Sequence, residues 1–444
     1  VVILDRRDEA CLHANRRIPS VAHHFGYACA MDLRLAALWV LVALAGAGAG
    51  WWLLVAVRVL RDLPRIPRAP QGLDLPLPAV LPTVSVIVPA HNEQAHAPRA
   101  ARSILASEWP SLEVIFVLDR CTDGTLDALA PIAAADPRLK IVQNHDCPAD
   151  WAGKCNAARV GAKHATGDLL LFTDADIEFH PKLLRATVAI LKHRGLSLLS
   201  LLASPRVRHW FEAVVQPVAA LMLMRMYPIP RVNDTKNPRA FANGQFLLFE
   251  RGMYEKLGGH AIVRDDLLED IAFARRVRDA GGRGGLCTAE HLLSVEMYET
   301  MSEFHRGWKR IYLEAAERMP SRLRALALES LVCGALFPMA GVAAALAGSA
   351  WGGGNLEPLA TVTMWLGIAS VSVFVIVTAW LHAMCHAPVA AAVFHPLGAW
   401  LVSHCLMQAA GDLDARLPVR WGGREYILQP RPRGGYDAPP TITP

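Results

Sequence analysis

The stretch Leu169-Leu170-Leu171-Phe172-Thr173-Asp174-Ala175-Asp176 limits what this chain can fold into. Its apolar head reads as a buried strand. Two carboxylates follow, one residue apart, and in an extended chain that spacing sets both on one face. At the carboxyl end of a parallel strand such a face opens into the ligand crevice of an α/β sheet. Hard oxygen ligands placed there suit Mg²⁺ or Mn²⁺ held against a diphosphate. Taken alone, the pair fits a capped turn before Pro181 equally well. Its surroundings separate the two readings.

Upstream, apolar β runs alternate with helical stretches. Thr83–Pro89 is β-branched and reads as a buried parallel strand, closed by Ala90-His91-Asn92-Glu93. A helix follows over about 98–107. Leu112–Leu118 is the next strand, ending in Asp119-Arg120-Cys121-Thr122-Asp123-Gly124-Thr125. A helix over 125–135, a strand over 139–143 and a helix opening at Trp151-Ala152-Gly153-Lys154 lead back to the paired acids. Downstream come a helix to about Lys192, a strand over 196–202, a turn feeding a strand at 242–249, and helices over 271–280 and 302–316. Alternation of this kind predicts a doubly wound, mostly parallel sheet. Such a sheet gathers Glu93, Asp119, Asp174 and Asp176 along one edge. One acid of such a set can bind a base or ribose, and others a metal that neutralises a diphosphate. Lys154, at a helix start, adds a cation near the phosphates. Asp123, within T-D-G-T, reads as turn chemistry.

The flanks are apolar. Leu35–Val57 is 23 residues without a charge, enough to span a bilayer. Arg58, Arg61, Arg65 and Arg68 follow it, which places the C-terminal side in the cytoplasm. A proline-studded linker, Pro64–Pro82, comes next. Leu331–Ala350, Leu359–Leu381 and Pro388–Ala410 are each long enough to span. One span before the domain and three after it put the tail outside, yet Arg416, Arg420, Arg424, Arg431 and Arg433 favour the cytoplasm. One segment is therefore expected to be re-entrant or interfacial, and Leu331–Ala350, with Pro338 and many small residues, is the candidate. Apolar residues of 210–227 recur at helical spacing, which fits core packing or a helix in the bilayer interface equally. Before Met31 the sequence shows no sustained periodicity.

Composition closes off other classes. The chain has 444 residues, is 53% hydrophobic and carries a formal charge of +5, with no basic stripe interleaved with aromatics, so nucleic acid is excluded as a partner. Nine cysteines without a C-x-x-C argue against a disulfide framework or structural zinc. No P-loop or dinucleotide glycine motif follows the first strand. His382-x-x-x-His386 has metal spacing but reads as a solvated pair at a membrane edge.

With these residues assembled, Val86-Ile87-Val88-Pro89-Ala90-His91-Asn92-Glu93, Asp119 with Thr122-Asp123-Gly124-Thr125, Asp174-Ala175-Asp176 and Glu269-Asp270 resemble, in order and spacing over roughly 82–315, the processive and lipid-directed glycosyltransferases of family 2. Trp151 with Gly153-Lys154, Asn243-Gly244-Gln245 and Trp421-Gly422-Gly423-Arg424-Glu425-Tyr426 look closest to the hopene-associated members. The resemblance implies a GT-A fold, a nucleoside-diphosphate sugar donor (a UDP-sugar foremost), Mg²⁺ or Mn²⁺, and inversion at the anomeric carbon. It implies that Glu93 and Asp119 contact the nucleotide, that Asp174 and Asp176 serve diphosphate and metal, and that Lys154 and Arg310 bind the donor. Asp270 is the implied general base, kept ionised by its helix start. Glu269, its neighbour, is expected to point away and to matter less.

Two departures stand out. Leu118 occupies a position where the family often has a second Asp, and His305-Arg306-Gly307-Trp308-Lys309-Arg310 replaces Q-x-x-R-W, which favours a single transfer to a lipid over processivity. The expected layout is a leader or start-site over-extension over 1–30, an anchor over 31–60, a linker over 61–81, a GT-A domain over 82–320, membrane helices over 325–412 and a basic cytoplasmic tail over 413–444. The whole would sit in a bacterial cytoplasmic membrane as a multi-pass protein. Polyprenyl-phosphate, carotenoid or ceramide-type acceptors, or an inactive membrane scaffold, are the alternatives.

Overall fold

The computed structural model describes residues 20–443 apart from 237, 265, 353, 422–423 and 431–440. Residues 1–19 of the expected leader, Gly422-Gly423, Arg431 and Arg433 lie outside the described residues. The chain divides into two compact units, one of residues 1–54 with 336–377 and the other of 55–335 with 378–444.

The larger unit is built on a seven-stranded sheet. Its strands are β1 (Val84–Ala90), β2 (Leu112–Asp119), β3 (Leu139–Asn144), β4 (Leu169–Thr173), β5 (Leu198–Leu202), β6 (Phe246–Glu250) and β7 (Gly284–Thr288). Their order is β3-β2-β1-β4-β6-β5-β7. β1 pairs in parallel with β2 and β4, and β2 with β3. Only β6 runs against its neighbours β4 and β5. The central strands are buried along their whole length, which is why they read as continuous apolar runs rather than alternating ones. This is a GT-A-like α/β fold with a mostly parallel central sheet. The reversed strand matters for the site, because it returns the chain to the carboxyl edge of β1–β4, where Thr173 pairs with Phe246.

The helices of this unit include α2 (Ala97–Leu105), α3 (Thr125–Ala135), α4 (Gly153–His164), α5 (Leu183–Arg194), α6 (Trp210–Val214), α7 (Gln216–Met226), α8 (Glu269–Asp279), α9 (Met301–Ala315) and α10 (Pro320–Leu331). The single helix expected over 210–227 is two, broken where Pro217 sits in the first turn of α7 and has no N–H to continue the ladder. Its apolar residues Val214, Val215, Val218, Ala219, Met222 and Met226 are buried in a core shared with Phe304, Trp308 and Leu406. Core packing therefore wins over the bilayer interface, although Trp210 remains exposed. The proline-rich linker is not a free spacer either. Ala69 and Gly72 are buried, Thr288 N–H donates to Pro67 O at 3.0 Å, and Arg185 Nη1 donates to Gly72 O at 3.0 Å, so the linker is laid along α5 and β7.

The smaller unit holds most of α1 (Ser20–Asp62), all of α11 (Phe337–Ala350) and most of α12 (Glu357–Met384), and the larger unit holds α13 (His395–Asp414). α1 takes in residues 20–30 of the expected leader. α11 and α12 follow in the chain. A Cβ on Gly348 would meet Ala360 O at 2.5 Å, and one on Gly367 would meet Ala345 N at 2.5 Å, so these helices touch backbone to backbone. The small residues of Leu331–Ala350 thus seat α12 in a continuous helical run. A π-helical turn, Val332–Leu336, absorbs the donor that Pro338 lacks. Among the described residues, four helical runs are long and apolar enough to cross a membrane: Leu33–Arg65, Pro320–Ala350, Gly354–Met384 and Val389–Asp414. His382 is fully buried, its ring 5.6 Å from that of His395, so the expected solvated pair with His386 is not formed. Beyond α13, Pro418–Trp421 and Arg424–Ile427 pair as an antiparallel hairpin, so the tail begins in a folded element.

Candidate active site

The parallel strands deliver their acids to one edge, as expected. Asp119, the last residue of β2, is buried and is held on both sides. Its Oδ1 accepts Asn144 Nδ2 at 2.7 Å from the end of β3, and its Oδ2 accepts Arg120 Nη2 at 2.5 Å. Arg120 pays for that grip with a left-handed backbone, φ +51°. A Cβ on Gly153, at the start of α4, would stand 2.6 Å from Arg120 Nη2, so the glycine leaves room for that guanidinium beside Asp119. Asp123 is the turn residue its setting predicts. Its Oδ1 accepts Thr125 N–H at 3.1 Å and its Oδ2 accepts Gln94 N–H at 3.1 Å.

Lys154, one residue into α4, is the hub. Its Nζ lies 2.7 Å from Asp174 Oδ1 and 2.8 Å from Glu269 Oε1. The two carboxylates outweigh burial and hold the ammonium well above its ordinary range. Glu269 therefore does not point out of the site, as was expected; only 6% of its side chain is exposed and it closes on Lys154. The physical reason is that α8 begins at Glu269 itself. A first-turn residue enters from the loop, and a glutamate is long enough to reach back.

Asp270 is next to it and buried. Its Oδ2 accepts Gly244 N–H at 2.6 Å and its Oδ1 accepts Ile271 N–H at 2.7 Å. Gly244 comes to this edge on the chain entering β6. A Cβ there would stand 3.1 Å from Lys154 Nζ, 3.3 Å from Asp270 Oδ2 and 3.5 Å from Glu269 Oε1. Burial, then the charge of Glu269, push Asp270 up to about 7, against the pull of Lys154 and both N–H donors. The helix start is thus too weak to keep this carboxyl in the ordinary acid range.

Asp174 and Asp176 follow β4. Burial, then Asp174 and Glu93, raise Asp176 well above the carboxylate range, and its buried Oδ1 has no hydrogen-bond partner. Glu93 is pushed up to about 7, by burial first and then by Asp174 and Asp123. The acids thus crowd one another with Lys154 as the cation bonded among them. That excess of negative charge, with one bare buried oxygen, fits a divalent cation. Among the described residues no group of three or more His, Cys, Asp or Glu could hold a metal by itself. Asp174 and Asp176 would supply two ligands, and water or a diphosphate the rest, as is usual for Mg²⁺.

Arg310 lies on α9. Burial foremost raises the Tyr298 phenol, with the Arg310 charge opposing it and those of Asp176 and Asp174 adding to it. The sequence reading missed Tyr298, Asn144 and Gly244's position between the acids. Only the N-G-Q turn before a strand hinted at the last.

Residues 85–258 match the sequence profile of Glycosyl transferase family 2. Over those residues the chain is similar to that family. The match begins in β1 and takes in every strand through β6; α8 lies beyond it. The 4,4'-diaponeurosporenoate glycosyltransferase of Staphylococcus haemolyticus is 31% identical over 98 residues, 22% of this chain and 25% of that one. Glycosyltransferase AglE of Haloferax volcanii is 26% identical over 122 residues, 27% of this chain and 39% of that one. The chain thus spans 25% and 39% of the length of these two relatives. Among solved structures, the mannosyltransferase PcManGT from Pyrobaculum calidifontis, in complex with GDP-Man and Mn²⁺, has a TM-score of 0.45 at 20% identity over 85% of this chain and 98% of that one.

Proposed function

We propose that this chain is a membrane-bound, metal-dependent inverting glycosyltransferase that moves a sugar from a nucleoside diphosphate, a UDP-sugar foremost, to a lipid hydroxyl, a hopanoid among the acceptors. The observation that carries the reading is the Lys154 bridge between Asp174 and Glu269, at the sheet edge of the stretch similar to family 2. Glu93 and Asp119 would meet the nucleotide, and Lys154 and Arg310 the diphosphate. A divalent cation on Asp174 and Asp176 would offset the charge of the departing diphosphate. Asp270 would accept the acceptor's hydroxyl proton as the oxygen bonds to the anomeric carbon and the bond to the diphosphate breaks. Each of its oxygens accepts one N–H and keeps a second lone pair for that proton.

The support for a lipid acceptor is the set of four helical runs, among the described residues, that are long and apolar enough to cross a membrane. The catalytic domain and the tail would then face the cytoplasm, with the chain in the cytoplasmic membrane.

The test is transfer from labelled UDP-sugars into a bacterial lipid extract by full-length protein in membranes, with Mg²⁺ or Mn²⁺. Labelled product should partition into organic solvent and should be lost with Asp174→Asn. Donor turnover that appears only with a water-soluble acceptor would overturn the lipid reading. The absence of any donor turnover would favour the inactive scaffold.

A further inference from the structure

The tail and the catalytic domain share a core. Val419, Tyr426 and Leu428 are buried in the same apolar cluster as Trp151, Phe211 and Tyr312. Tyr426 also stands close enough to Arg120 to act on its charge. Two segments on opposite sides of a bilayer cannot share a core, so the tail belongs on the domain's side. Between domain and tail lie three runs long and apolar enough to cross, Pro320–Ala350, Gly354–Met384 and Val389–Asp414. Three crossings would carry the tail to the far side. One of the three therefore does not cross.

The last run is the exception, because α13 is fastened to the catalytic unit along its length. Ala399, Val402, Leu406, Ala409 and Leu413 are buried in the shared core. Ser330 Oγ donates to Ala399 O at 3.0 Å, and a Cβ on Gly398 would meet Val214 O at 2.5 Å. At the other end Lys309 Nζ pairs with Asp412 Oδ2 at 2.6 Å, and Arg324 pairs with Asp414. The opposite face is open. Leu397, Trp400 and Met407 are 44%, 52% and 48% exposed on it, and Val393, in the 3-10 turn just before the helix, is 68% exposed. The spacing of three and seven residues puts Leu397, Trp400 and Met407 in one stripe, which they share with the exposed, mutually hydrogen-bonded His404 and Gln408. Beyond the C-terminal end, Arg416 and Arg420 are exposed, as suits anionic headgroups.

We propose that α13 lies in the leaflet facing the catalytic domain, with this stripe among the acyl chains, and does not cross the bilayer. An aromatic and aliphatic stripe on a helix whose other face is packed, followed by basic residues, is what a phospholipid surface takes up. The proposal rests on reading Leu33–Arg65, Pro320–Ala350 and Gly354–Met384 as spans. It moves the non-crossing segment from Leu331–Ala350 to α13, and puts the basic tail where its arginines favour it.

The experiment is cysteine labelling of the full chain in intact and in permeabilised cells with a membrane-impermeant maleimide, against the parental background. Ala390→Cys and Arg416→Cys flank α13, and Asn355→Cys lies in the loop before α12. Positions 390 and 416 should label only after permeabilisation, and 355 in intact cells. If 390 and 416 fall on opposite sides, α13 crosses and the proposal is wrong. An environment-sensitive probe on Trp400→Cys should be quenched by brominated acyl chains; a probe that remains aqueous would overturn the leaflet placement. Release of the whole chain by alkaline carbonate would instead defeat the reading of the other three runs as spans.

Discussion

The ammonium of Lys154 stands 2.8 Å from the carboxylate of Glu269, and the same nitrogen holds Asp174. This joins the acids at the end of β4 to those at the start of α8 through one side chain. Removing the cation leaves a buried glutamate unpaired, which costs more than removing both partners. Lys154→Met should therefore destabilise the chain by about 3 kcal/mol, from the usual cost of breaking a buried pair. Lys154→Met with Glu269→Gln should recover much of that loss. Thermal unfolding of both variants in detergent checks this, and equal losses would mean that the pair is not coupled.

The paired acids after β4 give the second prediction. Asp174→Asn and Asp176→Asn should each abolish transfer with the fold intact, because a neutral amide is a poor partner for a hard cation. Chelator should do the same to the parental protein, and Mn²⁺ or Mg²⁺ should restore it. Full activity in the presence of chelator would remove the metal from the mechanism.

Gly244 supplies a third. A Cβ at this position would sit 3.1 Å from Lys154 Nζ and 3.3 Å from Asp270 Oδ2, so both must shift to admit it. Misplacing reacting groups by a fraction of an ångström to an ångström costs up to about 10²-fold in rate. Gly244→Ala should therefore lower turnover by roughly 10- to 100-fold with little change in unfolding temperature. An unaltered rate would mean that the Gly244 N–H does not position Asp270.

Much of this site was legible because local pattern and parallel topology suffice for it. Glu93, Asp119, Asp174 and Asp176 each follow an apolar run, and parallel strands align their ends. What was not legible depends on chain reversal and reach. The antiparallel β6 brings Gly244 between Lys154 and Asp270, and an apolar run does not announce its direction. The angle between Glu269 and Asp270 on an ideal helix misled, because the helix begins at that residue and the glutamate turns back. The apolar spacing of α7 could not say what would cover it; α9 and α13 do.

The last prediction concerns the base. Burial and the adjacent Glu269 push Asp270 up to about 7 from an ordinary 3.8, while Lys154 pulls it down. A base must be ionised before it accepts a proton, so transfer should rise with pH, pass half-maximum near 7 and level off above it. Lys154→Met removes the opposing charge and should move any residual profile to higher pH. Asp270→Asn should lower turnover by roughly 10²–10⁴-fold, the usual range for a positioned base, and abolish the rise. Glu269→Gln should cost more than its position beside the base suggests, because it also releases Lys154 from its bridge to Asp174. Stability should run the other way. The folded chain binds this proton more tightly than the unfolded one, so the contribution is full below about 3.8 and is lost as pH rises through about 7. Glu93, also raised to about 7, acts in the same direction. The metal-free protein should thus unfold at a higher temperature at pH 6 than at pH 8, with a smaller difference in Asp270→Asn. A flat rate profile between pH 6 and 8, with the parental pH dependence of unfolding retained in Asp270→Asn, would show that the titrating group is not Asp270.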